Sequence, residues 1–264
     1  IDQAVTVVDG QNTWSGLNSG GNKDSYFGLR GTEDLGGGLK AQFVLESGIN
    51  ADTGNGDSSS NGLDFKRRAT VGVAGNFGEL HLGRDETAAY KAMQRYDVFG
   101  HAGIGGTQSW GVNNSSANND KRKDNQIAYV TPNFGGLTFA ANYAFGEQSG
   151  ATKTNAYFGG AVNYDNGPWS ASIAAEQQNN TLIGLTDTRQ RSYSIGTGYD
   201  FGPAKVVAAY RQTNNQPQGM ADYKDKTYTL GASAPVGAAG VVKASYNRYE
   251  RNNVAALETQ KADQ

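Results

Sequence analysis

Two histidines, His81 and His101, are the imidazole bases of this 264-residue chain, which has no cysteine. His81 stands in Glu79-Leu80-His81-Leu82, on the parity that faces inward, and reads as a wall residue. His101 lies in a glycine-rich stretch without a Gly-x-Ser-x-Gly context, so neither histidine has a nucleophile to activate. Zero cysteines remove thiolate catalysis, disulfides and zinc–thiolate sites together. The acidic run Asp52-Thr53-Gly54-Asn55-Gly56-Asp57 lacks the later bidentate Glu of a calcium loop and reads as a polar surface loop. Gly103-Ile104-Gly105-Gly106 has no following Lys-Ser or Lys-Thr, so it is not a phosphate cradle. The pairs Glu33-Asp34 and Asp85-Glu86 fall in a turn and a loop start, where carboxylates are ordinarily solvated. Neither an enzyme nor a cofactor is expected. A net charge of -2 also argues against a nucleic-acid partner, which would want a basic face. The remaining chemistry is electrostatic.

The elements that must carry those charges alternate with a period of two. Leu137, Phe139, Ala141, Tyr143 and Phe145 share one parity, and Thr138, Ala140, Asn142 and Ala144 the other. The same beat returns in Trp169, Ala171, Ile173 and Ala175, and again in Tyr193, Ile195, Thr197 and Tyr199. Alternating strands of about 9–11 residues separated by turns are the mark of a β-barrel that crosses a bilayer, lipid outside and water inside. No run of ~18 apolar residues is present, which excludes a spanning helix. Short turn-like connectors such as Pro132-Asn133-Phe134-Gly135 alternate with long polar ones at 10–24, 50–63, 86–121, 147–156, 178–189, 214–225 and 251 onward. A water-soluble β-sandwich would show alternation but not this long–short order.

The strands predicted are 1–9, 24–31, 38–49, 64–74, 78–85, 122–132, 136–146, 157–165, 168–177, 190–199, 204–213, 226–235 and 240–250. Thirteen is odd, whereas bacterial single-chain barrels have even counts, and Glu258–Gln264 is polar where another strand should begin. The expectation is one all-β transmembrane antiparallel barrel domain over 1–264, incomplete at both ends. Parity turns Tyr26, Gly28 and Arg30 inward, as it does Lys40, Gln42 and Glu46, and also Arg122, Asp124 and Gln126. Arg67 and Arg68 are adjacent and are expected on opposite faces; alternation does not decide which is inside.

Several segments go beyond pattern. Ser25 to Ala41, Phe65-Lys66-Arg67-Arg68-Ala69-Thr70-Val71-Gly72-Val73, Leu82-Gly83-Arg84-Asp85 and Arg122 to Gly136 together resemble the general bacterial porins, most nearly the anion-selective proteobacterial ones. The resemblance implies a sixteen-stranded, trimeric, water-filled barrel whose third long loop, here 86–121, folds inward to narrow the pore. It favours Arg67 as the inward arginine. It implies Arg30, Arg67 and Arg122 on the basic side of the constriction and Glu46, Asp85 and Asp97 on the acidic side. Tyr26 stands where relatives often carry another arginine, and Lys40 joins the set by parity. Trp14 or Phe27 would lie in the subunit contact.

On this reading the chain is an outer-membrane diffusion channel for ions and small hydrophilic solutes, mildly anion-selective. Its partners are a homotrimer, outer-membrane lipid and lipopolysaccharide, and small anions. The alternatives are a substrate-specific channel, which would show a stacked aromatic slide that the unevenly spaced Tyr90, Tyr96 and Trp110 of the inward loop do not make, and a barrel-based adhesin.

Overall fold

The computed structural model describes residues 2–6, 14–21, 23–57, 62–102, 105–107, 121–147, 149–150, 152–180, 188–219, 221–238, 240–253 and 259–263. The elements are β1 (Asp2–Thr6), β2 (Trp14–Asn18), β3 (Tyr26–Gly36), β4 (Leu39–Asn50), β5 (Asn55–Gly56), β6 (Arg68–Gly75), β7 (Gly78–Glu86), α1 (Ala88–Gln94), β8 (Arg122–Val130), β9 (Leu137–Ala144), β10 (Tyr157–Asn166), β11 (Trp169–Asn180), β12 (Thr188–Asp200), β13 (Lys205–Pro217), β14 (Tyr223–Val236), β15 (Gly240–Asn253) and β16 (Thr259–Asp263). From β3 to β16 the strands pair antiparallel with their chain neighbours in one continuous sheet, and β5 pairs with β4 off this path. Strands β1 and β2 pair with each other in a separate two-stranded sheet. Among the described residues the long path ends at β3 and β16 without closing on itself.

Register carries each side chain's face across the sheet, because directly paired residues point the same way. Ser172 opposes Gly196 and Asn163, and Ile173 opposes Ile195 and Val162. Ile173 is 54% exposed while its neighbours Ser172 and Ala174 are 2% and 8% exposed. The large apolar residues Phe139, Phe158, Tyr193, Ile195 and Leu230 stand on the open face, and Gln126, Asn142, Gln190, Asn215 and Asn247 are buried on the other. This inverts a soluble sandwich, whose dry middle would hold the apolar set. The outward face suits hydrocarbon and the inward face suits water.

Four local expectations are corrected. Residues 14–18, expected within a connector, form β2 against β1. The polar segment 259–263 forms β16 against β15. Strands β11 to β15 run further into the predicted loops than expected, β13 to Pro217 and β14 from Tyr223. The reason is common to all: a ladder needs a backbone partner, and polar residues do not break it where water covers the strand end. The fourth difference is that segment 64–74 becomes a strand only at Arg68.

The described part of the connector, residues 87–102 and 105–107, lies on the inner face. It opens on α1, whose N-cap Thr87 accepts the Tyr90 N–H on its Oγ1 at 3.2 Å. Helix α1 lies against β9, β10, β11 and β12. Ala89, Ala92, Met93 and Tyr96 pack on Ala161, Ala174 and Val207, small or compact residues that leave space for the connector on the wall. Asn142 Oδ1 accepts the Ala88 N–H at 3.0 Å, Tyr96 Oη meets Ser172 Oγ at 2.8 Å, and Ser245 Oγ donates to the Gly105 carbonyl at 2.8 Å. The described part of the connector is thereby fastened to β9, β11 and β15 in turn.

Candidate functional site: a charged passage on the inner face

Where the connector leaves the wall, a cavity of about 200 Å³ is lined by Tyr26, Glu46, Arg67, Arg68, Asp85, Glu86, Lys91 and Arg122. Strand β4 supplies Glu46, β7 supplies Asp85 and Glu86, β8 supplies Arg122 and α1 supplies Lys91. Arg67 donates from Nε to Glu46 at 3.1 Å and from Nη1 to Asp24 at 3.2 Å. Its guanidinium sits 4.2 Å from the centre of the Tyr26 ring, a cation–π contact that adds to its two ion pairs. Arg122 donates to Glu86 at 2.9 Å. Asp85 is nearly fully buried and meets three cationic or protonatable groups: Lys91 Nζ at 2.7 Å, Arg68 Nη2 at 3.4 Å and His81 Nε2 at 3.4 Å. Lys121 reaches Asp24 at 3.5 Å. Its burial, with the Arg122 guanidinium adding to it, pushes this ammonium below the usual lysine range.

The two adjacent arginines share this cavity, against the expectation of opposite faces. Strand β6 starts at Arg68, so Arg67 lies outside the alternation and its side chain is free to turn the same way. Arg68 needs no partner from another subunit; Asp85 fills that role. A second parity error follows from a bulge. Register between β7 and β8 shifts between Gly83 and Asp85, with Gly83 at φ 122° and Asn125 at φ 53°. The extra residue reverses the faces of Lys123 and Asp124, while Arg122, the first residue of β8, still turns into the cavity. Lys123 is buried on the inner wall beside Gln178, with its ammonium 5.2 Å from the centre of the Tyr157 ring, while Asp124 is exposed and pairs with Arg84 at 2.7 Å.

Three other expected residues stand apart from the cluster. Lys40 pairs with Asp34 in register at the β3–β4 turn, six positions from Glu46, roughly 20 Å along the strand. Arg30 opposes Val44, on the cluster's face and about 7 Å along from Glu46; it is exposed, and among the described residues no ion pair holds it. Asp97 is buried inside the connector, where it accepts the N–H groups of Phe99 and Thr107 at 2.8 Å and the Thr107 hydroxyl at 2.9 Å. It caps a turn against β13 and β14 and does not face Arg30, Arg67 or Arg122. Further along the wall Glu176 accepts from Arg211 at 2.7 Å and from the Tyr157 hydroxyl at 2.7 Å. Of these additions, Arg211 and Glu176 keep the inward parity and were readable; Lys91, on an unpredicted helix, and Lys123, behind a bulge, were not. Trp110 lies outside the described residues. No group of three His, Asp or Glu side chains among the described residues is gathered to hold a metal.

The profile of the Gram-negative porin family matches residues 1–263. The chain belongs to the Gram-negative porins. Outer membrane porin protein 32 of Delftia acidovorans is 44% identical over 192 residues, covering 69% of this porin chain and 54% of the relative. An outer membrane porin protein of Bordetella pertussis is 37% identical over 197 residues, covering 69% and 50%. The chain thus spans about half the length of these two relatives. A solved anion-selective porin from Comamonas acidovorans superposes with TM-score 0.84 at 41% identity, covering 96% of this chain and 76% of that one. The sheet is therefore that of a porin barrel, and the bacterial outer membrane is its location.

Proposed function

We propose that this porin is a passive diffusion channel for ions and small hydrophilic solutes with a mild preference for anions. The cavity at the wall end of the connector carries the reading. Five cations, Arg67, Arg68, Lys91, Lys121 and Arg122, meet four carboxylates, Asp24, Glu46, Asp85 and Glu86, within a few ångströms. Arg30 adds a further positive charge on the same face. Such near-balance gives a small net positive field in a confined, low-dielectric passage, which favours anions without binding them tightly. Arg68 Nε and Arg122 Nε are buried donors with no acceptor among the described residues, so the cations of this cluster are not fully neutralised by hydrogen bonding. The similarity to an anion-selective porin supports the same sign.

The connector 86–121 is the constriction in this proposal, and the constriction set is Arg30, Arg67, Arg68, Lys91, Arg122, Tyr26, Glu46 and Asp85. Lys40 lies too far along β4, and Asp97 is consumed by the connector's own turn. The chain works as a homotrimer embedded in outer-membrane lipid and lipopolysaccharide; Phe27, half exposed on the outward face of β3, suits a subunit contact. No catalysis is assigned: His81 lies against Asp85, and His101 is buried edge-on against Tyr90, with ring centres 4.9 Å apart. A planar bilayer under a salt gradient tests the reading. The reversal potential should lie modestly toward the anion value; a value toward the cation side sinks it.

A further inference from the structure

We propose that the cavity beneath α1 is a subsite for compact apolar carboxylates, an inference that rests on the diffusion-channel reading. It measures about 220 Å³ and is lined by Lys91 and Arg95 of the connector, His81 of β7, and Ala128, Val130 and Ala140 of β8 and β9. Lys91 and Glu86 border both this cavity and the charged one, so a solute leaving the charged cavity past Lys91 enters it. His81 and Val130 lie toward the short turns at 76–77 and 131–136, which in outer-membrane barrels are the periplasmic ends of the strands. The subsite therefore follows the charged cavity on the way in. Its floor departs from the rule of the inner wall. Val130, Ala140, Ala161 and Ala174 are direct cross-strand partners in one row, apolar on a face that is otherwise mostly polar. Helix α1 packs on Ala161 and Ala174 and leaves Val130 and Ala140 partly exposed. An apolar patch left open in a wet passage is where the nonpolar part of a solute gains by leaving water.

Above this floor the fold leaves donors unspent. Lys91 in α1 and its C-cap Arg95 stand one helical turn apart on the side that faces the cavity, and like charges at that spacing repel. Lys91 gives one hydrogen bond, to Asp85 at 2.7 Å, and Arg95 gives one, to Asp165, with the Tyr96 ring centre 5.8 Å from its guanidinium. Among the described residues the other N–H groups of this ammonium and this guanidinium are uncommitted. His81 is buried with neither ring nitrogen in a hydrogen bond among the described residues, Asp85 and Glu79 lying 3.4 and 3.5 Å from it. Asp85, Glu86 and Asp165 each already hold a cation, and Glu79 is partly exposed at the short-turn end. What remains open near α1 is donors, not acceptors. One carboxylate between Lys91 and Arg95 satisfies both cations and relieves their repulsion, and arginine grips it with paired N–H groups. The volume falls short of the ~300 Å³ of drug-sized sites and suits one ring or a short branched chain. A charge without an apolar body, or the body without the charge, meets only half of the site.

The test is benzoate added to the detergent-purified protein reconstituted in a planar bilayer. Benzoate should block single-channel current saturably, whereas acetate and benzamide at equal concentration should not. Arg95→Gln should raise the half-blocking concentration roughly tenfold, the loss expected for a hydrogen bond to a charged group. Ala140→Leu fills the floor without touching the charges and should weaken the block as well. Asp165→Asn removes the tether of Arg95 but keeps its guanidinium, and should leave the block in place. Equal block by acetate or benzamide, or wild-type block in both Arg95→Gln and Ala140→Leu, overturns the proposal. So does a loss in Asp165→Asn as large as in Arg95→Gln, which would make Arg95 a fastening of the connector only. Saturation-transfer NMR of benzoate with the same preparation reads binding without current and separates the two readings. A conducting protein that neither binds benzoate nor is blocked by it defeats this inference alone, and a protein that binds benzoate but does not conduct defeats the channel.

Discussion

The ring of Tyr96, carried by the inward connector, occupies the space that a side chain at Gly196 on β12 would need. A Cβ placed at Gly196 would stand 2.1 Å from Tyr96 Cδ2. The tyrosine's hydroxyl reaches past it to Ser172 Oγ at 2.8 Å, and Ser172 in turn donates to Asn163 at 2.7 Å. One absent side chain thus sets how closely the connector approaches the wall.

Gly196→Ala should push Tyr96 and the connector toward the pore axis. We expect lower single-channel conductance and a smaller exclusion limit in liposome swelling, with a stability loss of about 1–3 kcal/mol, the range for overpacking. Unchanged conductance in a folded variant would dissociate the connector's position from this contact. Tyr96→Phe, which keeps the ring, should lose about 1 kcal/mol and change conductance little.

Charge in the cavity should tune selectivity predictably. Arg67→Ala leaves Glu46 and Asp24 without their shared cation, so the reversal potential should move toward the cation value. Asp85→Asn frees Lys91 and Arg68 and should move it the other way. It should also cost the barrel about 1 kcal/mol, because Lys91 and Arg68 lose their counter-ion but stay in contact with water. Arg67→Lys would keep the charge but not the guanidinium's paired contacts to Glu46 and Asp24, giving an intermediate potential.

Acid should loosen the connector. Burial first, with Arg211 and Lys121 adding repulsion, pushes the His101 pKa down to about 4 despite the opposing pull of Asp97. Its neutral form is therefore the seated one. Above the free-histidine value near 6.5 both seated and released states are neutral and the seat is at full strength. Between that value and about 4 only the released state takes up a proton, so stability falls with pH, by at most roughly 3 kcal/mol. Current fluctuations or protease cleavage within 86–121 should rise from pH 7 to pH 4.5. His101→Gln, uncharged throughout, should flatten that response.

The bulge makes a stability prediction. Asn125 holds φ 53°, a conformation open to Asn and Gly but strained for branched side chains. Asn125→Gly should leave the unfolding midpoint nearly unchanged, and Asn125→Val should cost about 1–3 kcal/mol. If valine is tolerated equally, the bulge is not what turns Lys123 inward.

The barrel and its two solvents were legible from the chain because side-chain direction in a strand is a local rule. Ile173 beside Ser172 and Ala174 already states which face meets oil. That rule holds only inside an unbroken ladder, and the candidate site sits where ladders start or slip. Arg67 precedes β6 by one residue, and Lys123 is separated from Gln126 by a register shift, so neither face was a property of the local pattern. The fate of Asp97 and the seat of Tyr96 depend on partners far along the chain or in a folded turn, at Thr107, Ser172 and Gly196. Alternation alone therefore determined a wet interior lined by small and polar groups. Which charges share one cavity was decided by closure of the connector onto the wall, since electrostatic pairing acts through distance in space and carries no periodic trace in sequence.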